Sequence, residues 1–213
     1  MKVLLVNGSP HPEGCTYTAL CEVAKGLESE GIGYEIMYLG KGDIPGCRAC
    51  GYCKKKGMCV IDDIVNKTLD RTDEFDGFVF GSPVYYSGPA GQVTSFMDRL
   101  FYAGRGRMAY KPAAAVLSCR RAGTTASFDR LNKYFTISNM PVVSSQYWNE
   151  VHGNSPEEVL QDLEGLQIMR TLGRNMGWML KCIDAGRKAG VSIPAPEEHA
   201  WTNFIRRCGR LPQ

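Results

Sequence analysis

Four cysteines within thirteen residues carry the strongest chemical signal in the sequence: Cys47, Cys50, Cys53 and Cys59. Their spacing is C-x2-C-x2-C-x5-C, and closely packed x2 steps are typical of short loops that wrap one iron-sulfur cube. A structural zinc site usually separates two C-x2-C pairs by a longer stretch. The spacing therefore favours a [4Fe-4S] cluster over zinc, and a loop of reduced, metal-free cysteines is the alternative.

A second signal is the loop Gly8–Thr18, which connects a short apolar segment to a segment with helical periodicity. A helix N-terminus at the end of this loop would offer unpaired N–H groups and a favourable dipole to a phosphate. The loop contains neither a Walker Gly-Lys-Ser/Thr nor a dinucleotide G-x-G-x-x-G. An ordinary turn with a threonine cap is the alternative. The predicted phosphate-binding residues are Ser9, His11, Cys15, Thr16 and Thr18.

Two further loops carry residues suited to a flat aromatic ligand. Segment 81–89 combines backbone-shaping Gly and Pro with two tyrosines, one of which could pack beside an isoalloxazine ring. Core packing is the alternative for a tyrosine. Segment 118–124 offers N–H groups and arginines to the same ligand. The alternative for the arginines is that they are simply exposed to solvent. The binding residues predicted from these two loops are Ser82, Pro83, Val84, Tyr85, Tyr86, Ser118, Arg120 and Gly123.

Alternating apolar and periodic segments predict the scaffold that positions these loops. The predicted strands are Val3–Val6, Tyr34–Leu39, Phe78–Phe80, Ala113–Leu117 and Val142–Ser145. Helices are predicted from Thr16 to about Gly31, from Asp62 or Asp63 to Arg71, and over Gln92–Tyr102, Phe128–Ile137 and Pro156–Lys188. The Gly- and Cys-rich stretch Gly40–Cys59 is predicted to be neither helix nor strand.

Regular alternation of strands and helices predicts an α/β protein with a parallel sheet covered on both faces. We expect a doubly wound, five-stranded, flavodoxin-like sheet in the order 2-1-3-4-5, with a C-terminal helical extension. Residues 1–190 would form an FMN-binding domain with a Cys-rich insertion at 40–60, and residues 191–213 would form a tail. In such a fold a ligand binds beyond the carboxyl ends of strands one and three.

Composition excludes several classes of protein. With 213 residues, 44% hydrophobic and 22% charged, the chain can bury a core, unlike a disordered or fibrous chain. The net charge of +3 is too small to indicate nucleic acid or an anionic membrane as a main partner. No apolar run reaches the roughly 18 residues of a membrane span, so we expect a cytoplasmic protein.

Several motifs together resemble those of the iron-sulfur flavoprotein branch of the NADPH-dependent FMN reductases, over roughly residues 1 to 150. They are Asn7-Gly8-Ser9-Pro10, the cysteine loop, Cys59-Val60-Ile61-Asp62-Asp63, Gly81-Ser82-Pro83-Val84-Tyr85 and Phe96-Met97-Asp98-Arg99. The sequence departs from the family pattern at His11, where Arg is common, and at Cys15, where Asn or Ser is usual. We interpret Asp98 and Arg99 as a structural ion pair.

The resemblance implies an FMN-dependent oxidoreductase that forms homodimers or dimers of dimers. Electrons would enter from NAD(P)H or ferredoxin and leave to a small-molecule acceptor, with the flavin and a [4Fe-4S] cluster as cofactors. Three alternatives remain: a clusterless NAD(P)H-dependent FMN, quinone or azo reductase, a non-enzymatic flavodoxin-like electron carrier, and a flavodoxin-fold module without flavin. A protein acid or base is not required when a flavin carries the chemistry.

Overall fold

The computed structural model describes residues 1–104, 106–198 and 200. The tail expected over 191–213 is therefore described only in part, because residues 199 and 201–213 lie outside the described residues. Among the described helices, none is both long enough and apolar enough to cross a bilayer.

Five parallel strands form the central sheet: β1 (Lys2–Asn7), β2 (Gly33–Tyr38), β3 (Gly77–Tyr85), β5 (Ala113–Cys119) and β6 (Glu150–His152). Their order across the sheet is β2-β1-β3-β5-β6. A two-residue strand, β4 (Gly88–Pro89), folds back antiparallel on the end of β3. Counted without β4, this is the order 2-1-3-4-5, so the predicted flavodoxin-like fold class is confirmed.

Helices cover both faces of this sheet. They are α1 (Cys15–Ser29), α2 (Tyr52–Lys56), α3 (Ile64–Asp70), α4 (Gly91–Gly104), α5 (Thr124–Ile137), α6 (Pro156–Val159) and α7 (Leu163–Lys188). Successive side chains of a strand point to opposite faces. Leu4 and Val6 accordingly pack in a core with α3, α4 and α5, whereas Val3 and Leu5 pack in a second core with α1 and α7.

The two long helices α1 and α7 touch through their backbones. A Cβ on Gly173 would lie 2.2 Å from the carbonyl oxygen of Val23, so a glycine is needed at this crossing. Arg170 of α7 adds an ion pair to the buried Glu22 of α1, at 2.5 Å. Burial raises the pKa of Glu22, but hydrogen bonds from Lys25 and Arg170 outweigh burial and lower it overall. These contacts brace α1, whose N-terminus lies at the functional edge of the sheet.

The predicted fifth strand, Val142–Ser145, is wrong. Val142 forms an isolated bridge to Ala113, and the strand that pairs with β5 is Glu150–His152. The hydroxyl of Ser145 lies 2.6 Å from the carbonyl oxygen of Tyr147, in a turn between this bridge and β6. The two adjacent valines gave the segment the composition of a buried strand, but this turn ends the pairing.

The predicted single helix Pro156–Lys188 is also wrong, because it is divided into α6 and α7. Asp162 caps α7 by accepting a hydrogen bond from the Gly165 amide at 2.9 Å, so a new helix begins after it. The stretch Gly40–Cys59, predicted without regular structure, contains the short helix α2. Gly51 and Gly57 flank this helix in left-handed conformations, which bracket it within the loop.

The third strand is longer than predicted. It continues past Phe80 to Tyr85, so Ser82, Pro83, Val84 and Tyr85 lie in a strand rather than in a loop. Ser82 and Pro83 pair with β5, while Val84 and Tyr85 pair with β4. Gly and Pro are typical of turns, but here two ladders keep the backbone extended.

Replacing Glu35 with Gln is expected to lower stability at neutral pH by about 1 kcal/mol, the upper range for partly exposed ion pairs. Arg71 and Lys2 donate hydrogen bonds to the Glu35 carboxylate at 2.8 Å, which lower its pKa to about 2. A carboxyl with a lowered folded pKa stabilises the protein above its unfolded pKa. This contribution is lost as the pH falls from about 4.3 towards the folded value.

Urea unfolding of both proteins from neutral to acidic pH tests this prediction. The stability difference between wild type and Glu35→Gln should shrink as the pH falls through this window. Glu74→Gln is the matched control, because Glu74 also accepts from Arg71 but is more exposed and should matter less. A difference that stays constant with pH would contradict the assignment to Glu35.

Candidate functional site

Four chain segments, at or after the carboxyl ends of β1, β3, β5 and β6, meet at one edge of the sheet and form a cleft of about 280 Å³, here named the edge cleft. It lies where the loops after β1 and β3 approach each other, the switch point of this strand order. Most of the predicted binding residues line it: Ser9, His11, Cys15, Thr16, Pro83, Val84, Tyr85, Ser118 and Arg120.

The loop after β1 owes its shape to Asn7, whose side chain is fully buried. Its amide nitrogen donates to the Pro12 carbonyl at 2.9 Å, and its side-chain oxygen accepts from the Ser9 amide at 3.1 Å. At Gly8 a Cβ would lie 2.0 Å from a methyl group of Val93, so the backbone there passes against α4. Asn7 was part of a recognised motif, but its role in shaping the loop was not predicted.

Helix α1 begins at the floor of the edge cleft. Gly14 occupies its N-cap position and has no side chain with which to cap the first amides. Those N–H groups and the helix dipole therefore favour an anion. The Thr16 hydroxyl lies 2.8 Å from the Ser118 hydroxyl, and this buried hydrogen bond links the first turn of α1 to the end of β5.

Two thiols beside this anion-favouring position are neutral at physiological pH. Burial raises the pKa of Cys15 and, likewise, the pKa of Cys119. The Cys15 sulfur lies 3.7 Å from the carbonyl oxygen of Gly153. A neutral thiol does not repel a phosphate, so the replacement of the usual Asn or Ser by Cys15 is compatible with an anion site.

Four predicted binding residues do not line the edge cleft. The Thr18 hydroxyl donates to the Gly14 carbonyl within α1, at 3.2 Å. The Ser82 hydroxyl accepts from the Ala90 amide and donates to the Pro83 carbonyl. Gly123 occupies the N-cap of α5, with φ of 92°, and Tyr86 lies at the tip of the β3–β4 hairpin.

The hairpin separates its two tyrosines. Tyr85 pairs with Gly88, and the two residues between them, Tyr86 and Ser87, both have positive φ, as in a type I′ turn. Tyr85 is half exposed and lines the edge cleft, whereas Tyr86 is fully exposed. Neither tyrosine is a core residue, so Tyr85 is the aromatic side chain available to a ligand in the edge cleft.

Three residues that line the edge cleft were missed: Cys119, Gly153 and Asn154. Gly153 and Asn154 directly follow β6, so they also lie at the carboxyl edge of a parallel strand. The misplaced fifth strand concealed them. A Gly-Asn pair after a short Val-containing segment was the available signal.

The four clustered cysteines line a second pocket, here named the thiol pocket, together with Arg99 and Tyr102 of α4. Cys47 and Cys50 are exposed, and Cys53 and Cys59 are half-buried. Within the described residues, no three His, Cys, Asp or Glu side chains are placed to hold one metal ion. In a [4Fe-4S] cube each of the four cysteines binds a different iron, so the four cysteine sulfurs are spread round the cluster. Four thiols round one pocket fit that donor set.

Cys59 is fixed more firmly than the other three cysteines. The buried side chain of Asn66 donates to the Cys59 carbonyl at 2.9 Å and accepts from the Cys59 amide at 2.8 Å. Arg99 donates to the Cys59 sulfur at 3.2 Å. The first part of the loop is held by Gln92, which donates to the Gly40 carbonyl at 2.7 Å.

The predicted ion pair between Asp98 and Arg99 is wrong. Arg99 pairs instead with Asp63, at 2.6 Å, while Asp98 accepts a hydrogen bond from Tyr134 and lies 3.5 Å from Arg130. Consecutive residues of a helix point about 100° apart, so Asp98 and Arg99 face different neighbours. This geometry turns Arg99 towards the cysteine loop.

The two pockets are built from different parts of the chain. The thiol pocket contacts α4 at Arg99 to Ala103, which is eight to twelve residues after the helix begins at Gly91. That distance along a helix is about 12 to 18 Å. The cysteine loop therefore lies along α4 rather than over the edge cleft.

The strand order, the switch-point cleft and the anion-favouring helix N-terminus define a flavodoxin-like protein. A solved archaeal flavodoxin shares the fold, with a TM-score of 0.58 and 17% identity over 85% of this chain and 99% of that one. So does the NAD(P)H:quinone oxidoreductase from Methanothermobacter marburgensis, with a TM-score of 0.65 and 16% identity over 83% and 96% of the chains.

Sequence comparison narrows the class. Residues 1–155 match the family model described as NADPH-dependent FMN reductase. The chain is 32% identical over 191 residues to an iron-sulfur flavoprotein of Methanocaldococcus jannaschii. The aligned region covers 86% of this chain and 99% of that protein. The chain belongs to the NADPH-dependent FMN reductase family, which confirms the predicted relationship. It is an FMN-dependent oxidoreductase.

Proposed function

We propose that the edge cleft binds FMN, with the phosphate at the N-terminus of α1 and the ring beside Tyr85. The observation that carries this proposal is the convergence of four chain segments on that helix end, whose first amides have no side-chain cap. A single helix N-terminus accommodates one phosphate group, which favours FMN over FAD. Exposed Arg120 adds positive charge at the rim.

Bound FMN supplies hydride and single-electron transfer, and the chain binds and orients it. The Thr16–Ser118 hydrogen bond ties the start of α1 to the end of β5 beside the phosphate position, and the β3–β4 hairpin holds Tyr85 at the cleft. Thr18, Ser82, Tyr86 and Gly123, which lie outside the cleft lining, act at most through the backbone or from the rim. The donor is NAD(P)H or ferredoxin, and the acceptor is a small molecule.

The thiol pocket holds a [4Fe-4S] cluster in this proposal, with Cys47, Cys50, Cys53 and Cys59 as ligands. The spacing of the four cysteines and their common pocket support it. The curated relative from Methanocaldococcus jannaschii is named an iron-sulfur flavoprotein, and it matches this chain over nearly its whole length. A cluster would add one-electron exchange to the two-electron chemistry of a flavin.

A clusterless NAD(P)H-dependent FMN, quinone or azo reductase is the second candidate. One observation favours it: Cys47 and Cys50 are exposed. This candidate keeps FMN in the edge cleft. It differs from the first in iron content and in the ability to use a one-electron donor.

The oligomeric state and the cellular location of the protein are also part of the proposal. We expect a homodimer or a dimer of dimers in the cytoplasm, with neither nucleic acid nor membrane as a partner. The exposed, mutually packed side chains of Tyr147 and Trp148 offer aromatic surface for a subunit contact. The eight described cysteines are unpaired, as is usual in a reducing compartment.

The visible spectrum of protein purified without oxygen tests both cofactors in one measurement. We expect flavin bands together with broad iron-sulfur absorption, about one FMN per chain, and about four iron atoms with four acid-labile sulfides per chain. Flavin without iron or sulfide would establish the clusterless reductase. A colourless protein that does not take up added FMN would contradict the proposal altogether.

A further inference from the structure

Arg99 is a buried cation whose donors are divided between a carboxylate and the cysteine loop. The residue is 2% exposed. Its guanidinium donates to both oxygens of Asp63, at 2.6 and 2.9 Å, and to the carbonyls of Pro45 and Ile61, at 3.3 and 2.9 Å. Its remaining donor, Nε–H, is directed at the Cys59 sulfur, at 3.2 Å.

This arrangement exceeds what charge balance requires. A buried guanidinium is costly unless it is paired, and Asp63 already supplies the opposite charge. The Nε–H donor could have met a further carbonyl, yet it meets a sulfur, which is a weak acceptor as a neutral thiol. A thiolate that binds iron carries negative charge and is a far stronger acceptor for an ionised donor.

We propose that Arg99 is a positioning residue that raises the reduction potential of the cluster through its hydrogen bond to Cys59. This inference rests on the proposed [4Fe-4S] function of the thiol pocket. Hydrogen bonds to cluster sulfurs are among the factors that set the potential of such centres. A reduced cluster is one charge more negative than an oxidised one, so a cationic donor stabilises the reduced form more.

The location of Arg99 suits this role. Its contacts to Pro45 and Ile61 bracket the segment that carries all four cysteines, and its backbone belongs to the fourteen-residue helix α4. The donor is therefore held by a rigid element while the loop closes round it. Dithionite supplies one electron to the cluster during reduction. The effect of the Arg99 hydrogen bond is therefore measured on a one-electron couple.

Arg99→Lys is the central variant, because it keeps the positive charge and removes the Nε–H donor. We expect the cluster midpoint potential, followed by electron paramagnetic resonance during a dithionite titration, to fall by about 59 mV, a tenfold change for a one-electron couple. Arg107→Lys is the matched control. Arg107 also contacts the cysteine loop, but through the Gly57 carbonyl rather than a cysteine sulfur. Its replacement should change the equilibrium constant for reduction of the cluster less than twofold.

Asp63→Asn supplies a second variant with the opposite sign. It removes the charge that balances Arg99, while asparagine still caps α3 in place of Asp63, which accepts from the Val65 amide. The midpoint potential should rise. Nonspecific damage to the loop would not move the two variants in opposite directions, and the FMN content of each variant reports whether it is folded.

The outcomes separate this inference from the proposed function. Wild-type protein without iron or sulfide would overturn both. Wild type with a cluster, together with an unchanged potential in Arg99→Lys, would overturn the role of Arg99 alone. If Arg99→Lys loses its iron, Asp63→Asn decides: a raised potential supports the inference, and an unchanged or lowered one overturns it.

Discussion

Cys50→Ala, purified without oxygen, is expected to lose its iron and acid-labile sulfide and to retain FMN. Cys50 is one of four thiols in the thiol pocket, and three ligands leave one iron of the cube without its protein anchor. The residues that line the edge cleft come from other loops, so flavin binding should be unaffected. Electron exchange with a one-electron protein donor such as ferredoxin should disappear, whereas hydride uptake from NAD(P)H should remain.

Iron and sulfide assays, FMN content and single-turnover reduction by ferredoxin measure these effects. Cys182→Ala is the matched control, because Cys182 is an exposed cysteine on α7 that does not line the thiol pocket. It should keep both cofactors. A Cys50→Ala protein with full iron content and full one-electron activity would show that the cysteine loop is not a redox centre, and the clusterless reductase would take its place.

The order of the sheet could be predicted because β1 and β5 are almost continuous apolar runs, the pattern of strands buried on both faces. The edge strand β6 could not. It is three residues long, and only Val151 among them is fully buried. Its pairing depends on where the turn at Ser145 returns the chain, a tertiary effect that periodicity does not contain.

The candidate site was predictable where backbone position alone decides it. Ser9 lies just after β1, Thr16 lies in the first turn of α1 and Ser118 lies at the end of β5, so the fold brings them to one edge. The orientation of Thr18 could not be predicted in this way, because hydroxyls in a first helical turn also bond to the helix backbone. The partner of Arg99 was equally hidden, since Asp63 lies 36 residues away in sequence.

Thr16→Glu is expected to weaken FMN binding about 1,000-fold. Thr16 is buried at the N-terminus of α1, where a carboxylate would face the phosphate. Two like charges about 4 Å apart repel by about 4 kcal/mol at an effective dielectric of 20, which is about three factors of ten in affinity. Thr16→Gln, which has the same size and no charge, should weaken binding only about tenfold through loss of the hydroxyl contact to Ser118.

Fluorescence titration of the cofactor-free proteins with FMN and with riboflavin separates charge from packing. Riboflavin has no phosphate, so the Glu and Gln variants should bind it equally, whereas FMN should distinguish them by about 100-fold. Salt should narrow the gap for FMN alone, because ions screen the repulsion. Equal affinities of the two variants for FMN would place the phosphate away from the N-terminus of α1, and an equally large gap with riboflavin would show that the buried carboxylate disturbs the cleft itself rather than repelling the phosphate.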